Sequence, residues 1–440
     1  MVTETSAPPE VTARPGGRAV ASWCLYDWAN SAFTTLVVTF IYSTYFSGAF
    51  GRDPAHGTVL WSRAIVTSAV IIAVLSPVLG AQADRSGHRR RYLLTATLVC
   101  CAATAGLAFI APAGRGAAVA AILVFIVANV AFEVAMVFYN SFLPAIVAPG
   151  RIGRVSGWGW ALGYAGGLTA MAVALFGFVR PETPWFGLPA EGDFRFRATN
   201  LLVAGWFLAF SLPMFLFVPE GAAAPGEAGV RGAFRELGRT IRSLGRYREV
   251  AKFLVARLVY NDGLVTVIAF GGIYAAGTFG MGLDEVIFFG MMLNIAAGLG
   301  AWAFGFVDDR LGGRRTILIS LVALALAVMI AVAAPSRLWL WVAGGIIGVF
   351  LGPNQAASRS LMGRFTPERH RSEFFGFFAF SGKITSFMGP LLLGVVTGVG
   401  GQRLGVATVL LFFAVGAALL WTVDEAAGIA AAGGPPAAQA

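Results

Sequence analysis

Runs of about 20 or more largely apolar residues recur twelve times along the 440-residue chain. The first six lie at approximately 20–47, 58–82, 92–112, 117–142, 155–179 and 198–218. The second six lie at approximately 250–279, 285–307, 316–334, 338–362, 372–399 and 404–423. A helix rising ~1.5 Å per residue needs about 20 such residues to cross ~30 Å of hydrocarbon, so each run predicts one membrane span. Composition agrees. Only 12% of the residues are charged and 57% are apolar, against roughly 25% charged in a soluble domain. That balance excludes a water-soluble multidomain protein, a disordered chain and a fibrous protein. Cys24, Cys100 and Cys101 all sit in apolar runs, which predicts neither a disulfide framework nor a metal site. Residues 219–249, rich in Gly, Ala and Arg, form the one long internal linker.

Span 1 follows Arg14 and Arg18 as a signal peptide would. Its apolar run is too long for a signal h-region, however, and it holds Asp27 and Asn30, so it reads as a retained span. The basic residues set the orientation. With the N-terminus inside, 21 of the 32 Arg and Lys fall in cytoplasmic segments and eight outside, which predicts both termini in the cytoplasm of a bacterial-type inner membrane. The net charge of +10 then faces anionic headgroups and calls for no nucleic acid. In the linker, Phe234, Leu237, Ile241 and Leu244 alternate with Arg235, Arg239, Arg242 and Arg246. An amphipathic helix on the inner leaflet and a solvated tether both fit that pattern. The expected organisation is a tail (1–18), a six-helix bundle (19–218), the linker (219–249), a second six-helix bundle (250–423) and a tail (424–440).

The loop after span 2 runs Gly80, Asp84, Arg85, Gly87, Arg89, Arg90. The loop after span 8 repeats it as Gly305, Asp309, Arg310, Gly312, Arg314, Arg315, at a constant offset of 225 residues. Its chemistry suits a conformational latch. Glycine allows tight turns between packed helix ends, and the Asp carboxylate can accept from the next helix's N-terminal amides or from an Arg fork. Gly157 and Gly163 in span 5 likewise match Gly376 and Gly382 in span 11 at an offset of 219.

The paired loop resembles the signature of the Major Facilitator Superfamily, over about residues 19–423. That resemblance implies an all-α polytopic membrane protein, with 12 transmembrane helices in two six-helix bundles around a central cavity. Longer strings narrow it. Tyr26-Asp27-Trp28-Ala29-Asn30-Ser31-Ala32-Phe33, Tyr139-Asn140-Ser141-Phe142-Leu143-Pro144 and Gln355-Ala356-Ala357-Ser358-Arg359-Ser360 are similar to the vacuole-effluxer-like (Unknown Major Facilitator) family. That family comprises fungal vacuolar amino-acid effluxers and bacterial relatives. The Pro353-Asn354 pair is less typical of it.

Ionisable side chains inside a span are costly, so each is a candidate for function. Six qualify: Asp27, Glu133, Arg257, Asp262, Arg359 and Lys383. Lys383 lies about 16 Å into span 11 at ~1.5 Å per residue, near the midplane. Two readings stand for these groups. Asp27, Asp262 and Glu373 can pair with Arg or Lys and lock the halves. Alternatively, a carboxylate in a cavity can carry a proton, for which Glu133 is preferred. Lys383 is expected to anchor a substrate carboxylate or to balance Glu133, and Arg359 to act as a latch. The amides Asn30, Asn129, Asn140, Asn261, Asn294, Asn354 and Gln355 can line a polar path or tie helices together.

No nucleotide-binding loop or catalytic constellation appears, and no cofactor is expected. The leading expectation is a monomeric secondary transporter of a small polar solute, by resemblance an amino acid or similar zwitterion. Export is the expected direction, with protons or sodium as the coupling ion and membrane lipids around it. A sugar:cation symporter and a lipid flippase are the alternatives.

Overall fold

The computed structural model describes residues 16–433 apart from 115, 188, 190–192 and 221–246. The linker residues expected to form an amphipathic helix lie outside the described ones. Helices make up the regular structure, and no strand occurs among the described residues. Among the described residues, nine helices are long and apolar enough on their own to cross a bilayer, or ten if the bent pair Val409–Trp421 and Glu425–Ala431 is one span.

Spans 1 and 3 fall outside that set because they are divided or short, span 12 enters it only through the bent pair, and span 11, counted in it as Glu368–Ala407, is broken within. Span 1 runs Gly17–Ala32, then a widened π-helical stretch Phe33–Phe40, then Ile41–Ala49. Span 3, Arg89–Leu107, spends its first turn on three arginines. Span 11 breaks between Arg371–Lys383 and Met388–Ala407, and Gly401 bends the chain towards span 12. Local chemistry fixes the ends of span 2, Pro54–Ser86. Asp53 accepts from the His56 amide at 2.8 Å, Pro54 occupies the first turn, and Gly87 closes the helix with a φ of 68°.

Each half has its own apolar core. One gathers residues from Ala19 to Val218, the other residues from Val250 to Val423 with Val137 reaching across. The halves join along two seams, span 2 on span 11 and span 5 on span 8. These seams are glycine-lined and pseudo-symmetric. A Cβ on Gly80 would stand 2.3 Å from the Ser372 carbonyl, and one on Gly305 would stand 2.8 Å from the Arg154 Cα. A Cβ on Gly376 would meet the Ser76 carbonyl at 2.5 Å, and one on Gly157 the Ala301 carbonyl at 2.3 Å. The sequence offsets of 225 and 219 thus map one seam onto the other, backbone against backbone.

Both seams lie at the end of the bundle that carries the Arg-rich loops, here called the basic end. The first part of span 11, Arg371–Lys383, packs on spans 2 and 4 of the other half, whereas Met388–Ala407 packs on spans 7, 9 and 12 of its own. The tail from 424 opens with a short helix, Glu425–Ala431, which folds back onto span 10 because Gly428 leaves room for the Phe365 ring.

Candidate functional site

Three layers of side chains cross between the halves. The first is the pair of loops. Asp84 accepts from the Ser372 amide at 3.0 Å, the Glu373 amide at 2.9 Å and Arg89 Nε at 2.9 Å. Asp309 accepts from the Gly153 amide at 2.8 Å, the Arg154 amide at 3.3 Å and Arg154 Nε at 2.5 Å. Each carboxylate therefore caps the positive N-terminal end of a helix in the opposite half, span 11 or span 5.

Of the two partners expected for each Asp, an arginine is present, whereas the capped helix is not the next one of its own half. That place is taken. Glu220 accepts from the Arg90 amide at 3.0 Å, and Glu425 from the Gly313 and Arg314 amides at 3.0 and 2.9 Å. Sequence reasoning missed both glutamates, although each follows the sixth span of its half. Arg314 bonds the Trp421 carbonyl at 2.7 Å, Arg85 is half-buried and Arg310 is exposed. Asp308, also missed, holds Arg364 Nη1 at 2.7 Å and the Ser360 hydroxyl inside the second half.

Deeper lies the second layer. Arg359 of span 10 reaches into the first half and donates to Asp27 at 2.8 Å, with side-chain exposures of 3% and 8%. It also donates to the Ser156 hydroxyl at 2.9 Å and the Ser156 carbonyl at 2.7 Å. The third layer is the pair Lys383 Nζ to Glu133 Oε1 at 2.6 Å, joining spans 11 and 4, with side-chain exposures of 34% and 18%. Of these two ion pairs, this one is the more exposed.

A family model described as "Vacuole effluxer Atg22 like" matches residues 54–433. The chain belongs to this family. An uncharacterized MFS-type transporter of Bacillus subtilis (strain 168), YxiO, is 29% identical over 92% of this chain and 94% of that protein. Autophagy-related protein 22 of Coccidioides immitis (strain RS) is 23% identical over 75% of this chain and 66% of its own length. The solved structure of the major facilitator proton:xylose symporter XylE, bound to 6-bromo-6-deoxy-D-glucose, superposes with a TM-score of 0.70. It is 12% identical, over 92% of this chain and 95% of that one. The Atg22-like chain is thus an integral, multi-pass transporter of Major Facilitator type and not an enzyme.

The remaining expected residues of this Atg22-like transporter divide by the helix face they occupy. Asn30 donates to Asp27 at 3.3 Å and Asn140 accepts from Arg359 at 3.4 Å, so both belong to the buried second layer. Arg257 donates to the Phe378 carbonyl at 2.7 Å and the Ser381 hydroxyl at 2.8 Å, and stacks 3.6 Å from the Phe378 ring centroid. Asn261 bonds the Gly382 carbonyl at 3.1 Å, steadying span 11 one residue before Lys383. Asp262 is buried against the break in span 11, where Gly389 lies close to its backbone carbonyl. Asn354 departs from the expected cavity position. It is fully buried and donates to Ser320 of span 9 at 2.9 Å, because its helix face turns into its own half. Gln355, one residue on, is half-buried.

Proposed function

We propose that this Atg22-like transporter works by alternating access and exports a small polar solute, an amino acid or similar zwitterion, with protons as the coupling ion. The Glu133–Lys383 pair carries this reading. Opposite charges from the two halves face each other at 2.6 Å, and both retain some exposure. A zwitterion entering between them finds a carboxylate for its ammonium and an ammonium for its carboxylate. Separating the pair also frees Glu133 to take a proton. Alternation between a closed and an open basic end supplies the second state.

In this reading the basic end faces the cytoplasm of a bacterial-type inner membrane and both termini lie there. Residues 19–218 and 250–423 are the two rocking bundles, joined by the 219–249 linker, in a monomer surrounded by membrane lipid. The structure then corresponds to the state closed towards the cytoplasm, since the latch loops and Arg359 all bridge the halves at that end.

The test is uptake of labelled amino acids into proteoliposomes with and without a pH gradient. Uptake that responds to the gradient, and loses that response in Glu133→Gln while counterflow persists, supports the proposal. Lipid scrambling without uptake of any amino acid sinks it. Stimulation by sodium with sugars as the transported solute would replace it by a symporter of another class.

A further inference from the structure

Arg359 fills a receptor for a cation that is built entirely by the other half of the molecule. The anion is Asp27, 2.8 Å from Nη1. The Ser156 carbonyl and the Asn140 amide oxygen accept from the same guanidinium at 2.7 and 3.4 Å. Its carbon lies over three aromatic rings, at 4.7 Å from the Trp23 centroid, 5.8 Å from Tyr139 and 5.6 Å from Trp160. Aromatic faces and a carboxylate together form the arrangement that recognises organic cations.

The walls do not depend on Arg359 for their shape. Trp23 Nε1 donates to the Tyr139 carbonyl at 2.9 Å, and the Tyr139 hydroxyl donates to the Trp23 carbonyl at 3.0 Å. Their rings stack with centroids 4.6 Å apart. Asn30 holds the second Asp27 oxygen. Gly159 keeps the box open, because a Cβ there would stand 2.4 Å from Asp27 Oδ2 and 2.8 Å from Arg359 Nη2. Arg359 itself comes from span 10 and leaves with the second half whenever the basic end opens. A preformed aromatic box then holds a buried carboxylate with no cation, which a low-dielectric interior disfavours.

We propose that this box is a binding site for a guanidinium or primary ammonium group. A solute cation enters it from the cytoplasm when the basic end is open, and Arg359 displaces that cation as the end closes. The cycle part of the proposal rests on the alternating-access reading above. The existence of the site does not, so the two can fail separately.

The site is tested on purified Arg359→Ala protein by thermal unfolding in methylguanidinium, methylammonium, sodium and tetramethylammonium chlorides at equal ionic strength. Methylguanidinium is expected to raise the Tm by several degrees and methylammonium by less, through binding to the folded state alone. Neither should raise the Tm of the wild type or of Asp27→Asn/Arg359→Ala. A rise that does not depend on Asp27, no rise at all, or an equal rise with sodium or tetramethylammonium overturns the site.

A second measurement retains Arg359 and does not require the alanine variant to fold. In Asp84→Asn/Asp309→Asn protein, spin labels on the basic ends of spans 4 and 10 report opening. Methylguanidinium should increase the open population, and an Asp27→Asn background should abolish that increase. An unchanged distance distribution overturns displacement by Arg359.

Discussion

The two ion pairs that join the halves use the same chemistry in different surroundings. Asp27–Arg359 is buried on all sides, with side-chain exposures of 8% and 3%, and carries further hydrogen bonds to Ser156. Glu133–Lys383 is shorter, yet 18% and 34% exposed. In a low-dielectric site, removing one charge strands the other, so a fully enclosed pair acts as a lock. A pair within reach of water can exchange its partner for a solute at little cost. Enclosure, more than distance, separates the two pairs.

Breaking the enclosed pair should have the largest effect. Arg359→Ala leaves Asp27 buried without its cation, and loss of ~3–5 kcal/mol from the closed state is expected. Thermal unfolding and the population of the closed basic end, read from spin-label distances, check this; a variant as stable as the wild type refutes it. The latch loops sharpen the comparison at the next level. Asp84→Asn keeps an oxygen for the amides but gives up the charged bond to Arg89, about 1.5–3 kcal/mol for a bond to a charged group. Asp309→Asn should cost less, since its arginine, Arg154, is 31% exposed where Arg89 is 4% exposed. Equal opening in the two variants would show that exposure does not rank them.

Smaller effects follow on the same helices. Asn354→Ala, one and a half turns from Arg359, should cost about 1 kcal/mol by removing its bond to Ser320. The KM for the transported solute should not move; a raised KM would put Asn354 in the binding path. Glu133→Gln should change stability least, by ~0–1 kcal/mol. Its mark is functional, a transport rate that no longer follows the pH gradient while exchange of solute continues.

The order of these effects explains what was legible in the sequence. The repeated Gly-Asp-Arg-Gly-Arg loops announced a two-fold design, because the 225-residue offset is a property of the string itself. Which helix each Asp caps was not legible: an offset relates equivalent positions but does not say which half supplies the amides. Counting residues placed Lys383 near the midplane, and balancing Glu133 was one of the two expectations for it; the two side chains meet at 2.6 Å. Asp27 was expected to pair with an Arg or Lys and Arg359 to act as a latch, but across 332 residues nothing in the string matched the one to the other. Asn354 was misplaced for a related reason. A helix that meets lipid on one side and an apolar core on the other shows little contrast between faces, so periodicity cannot tell cavity from packing. Glu220 and Glu425 lay outside the apolar runs, where the search for intramembrane charge did not reach.

The two glycine seams have a consequence of their own. Gly80 on the Ser372 carbonyl and Gly305 on the Gly153 carbonyl are the same contact made twice, as are Gly376 on Ser76 and Gly157 on Ala301. The join between the halves is therefore isologous, as in a two-fold dimer, although one chain supplies both sides. A bulky residue at one of these glycines wedges one edge of the interface and leaves its mate shut. Hence a single substitution tilts the closure sideways, and only the matched pair of substitutions would part the two halves evenly.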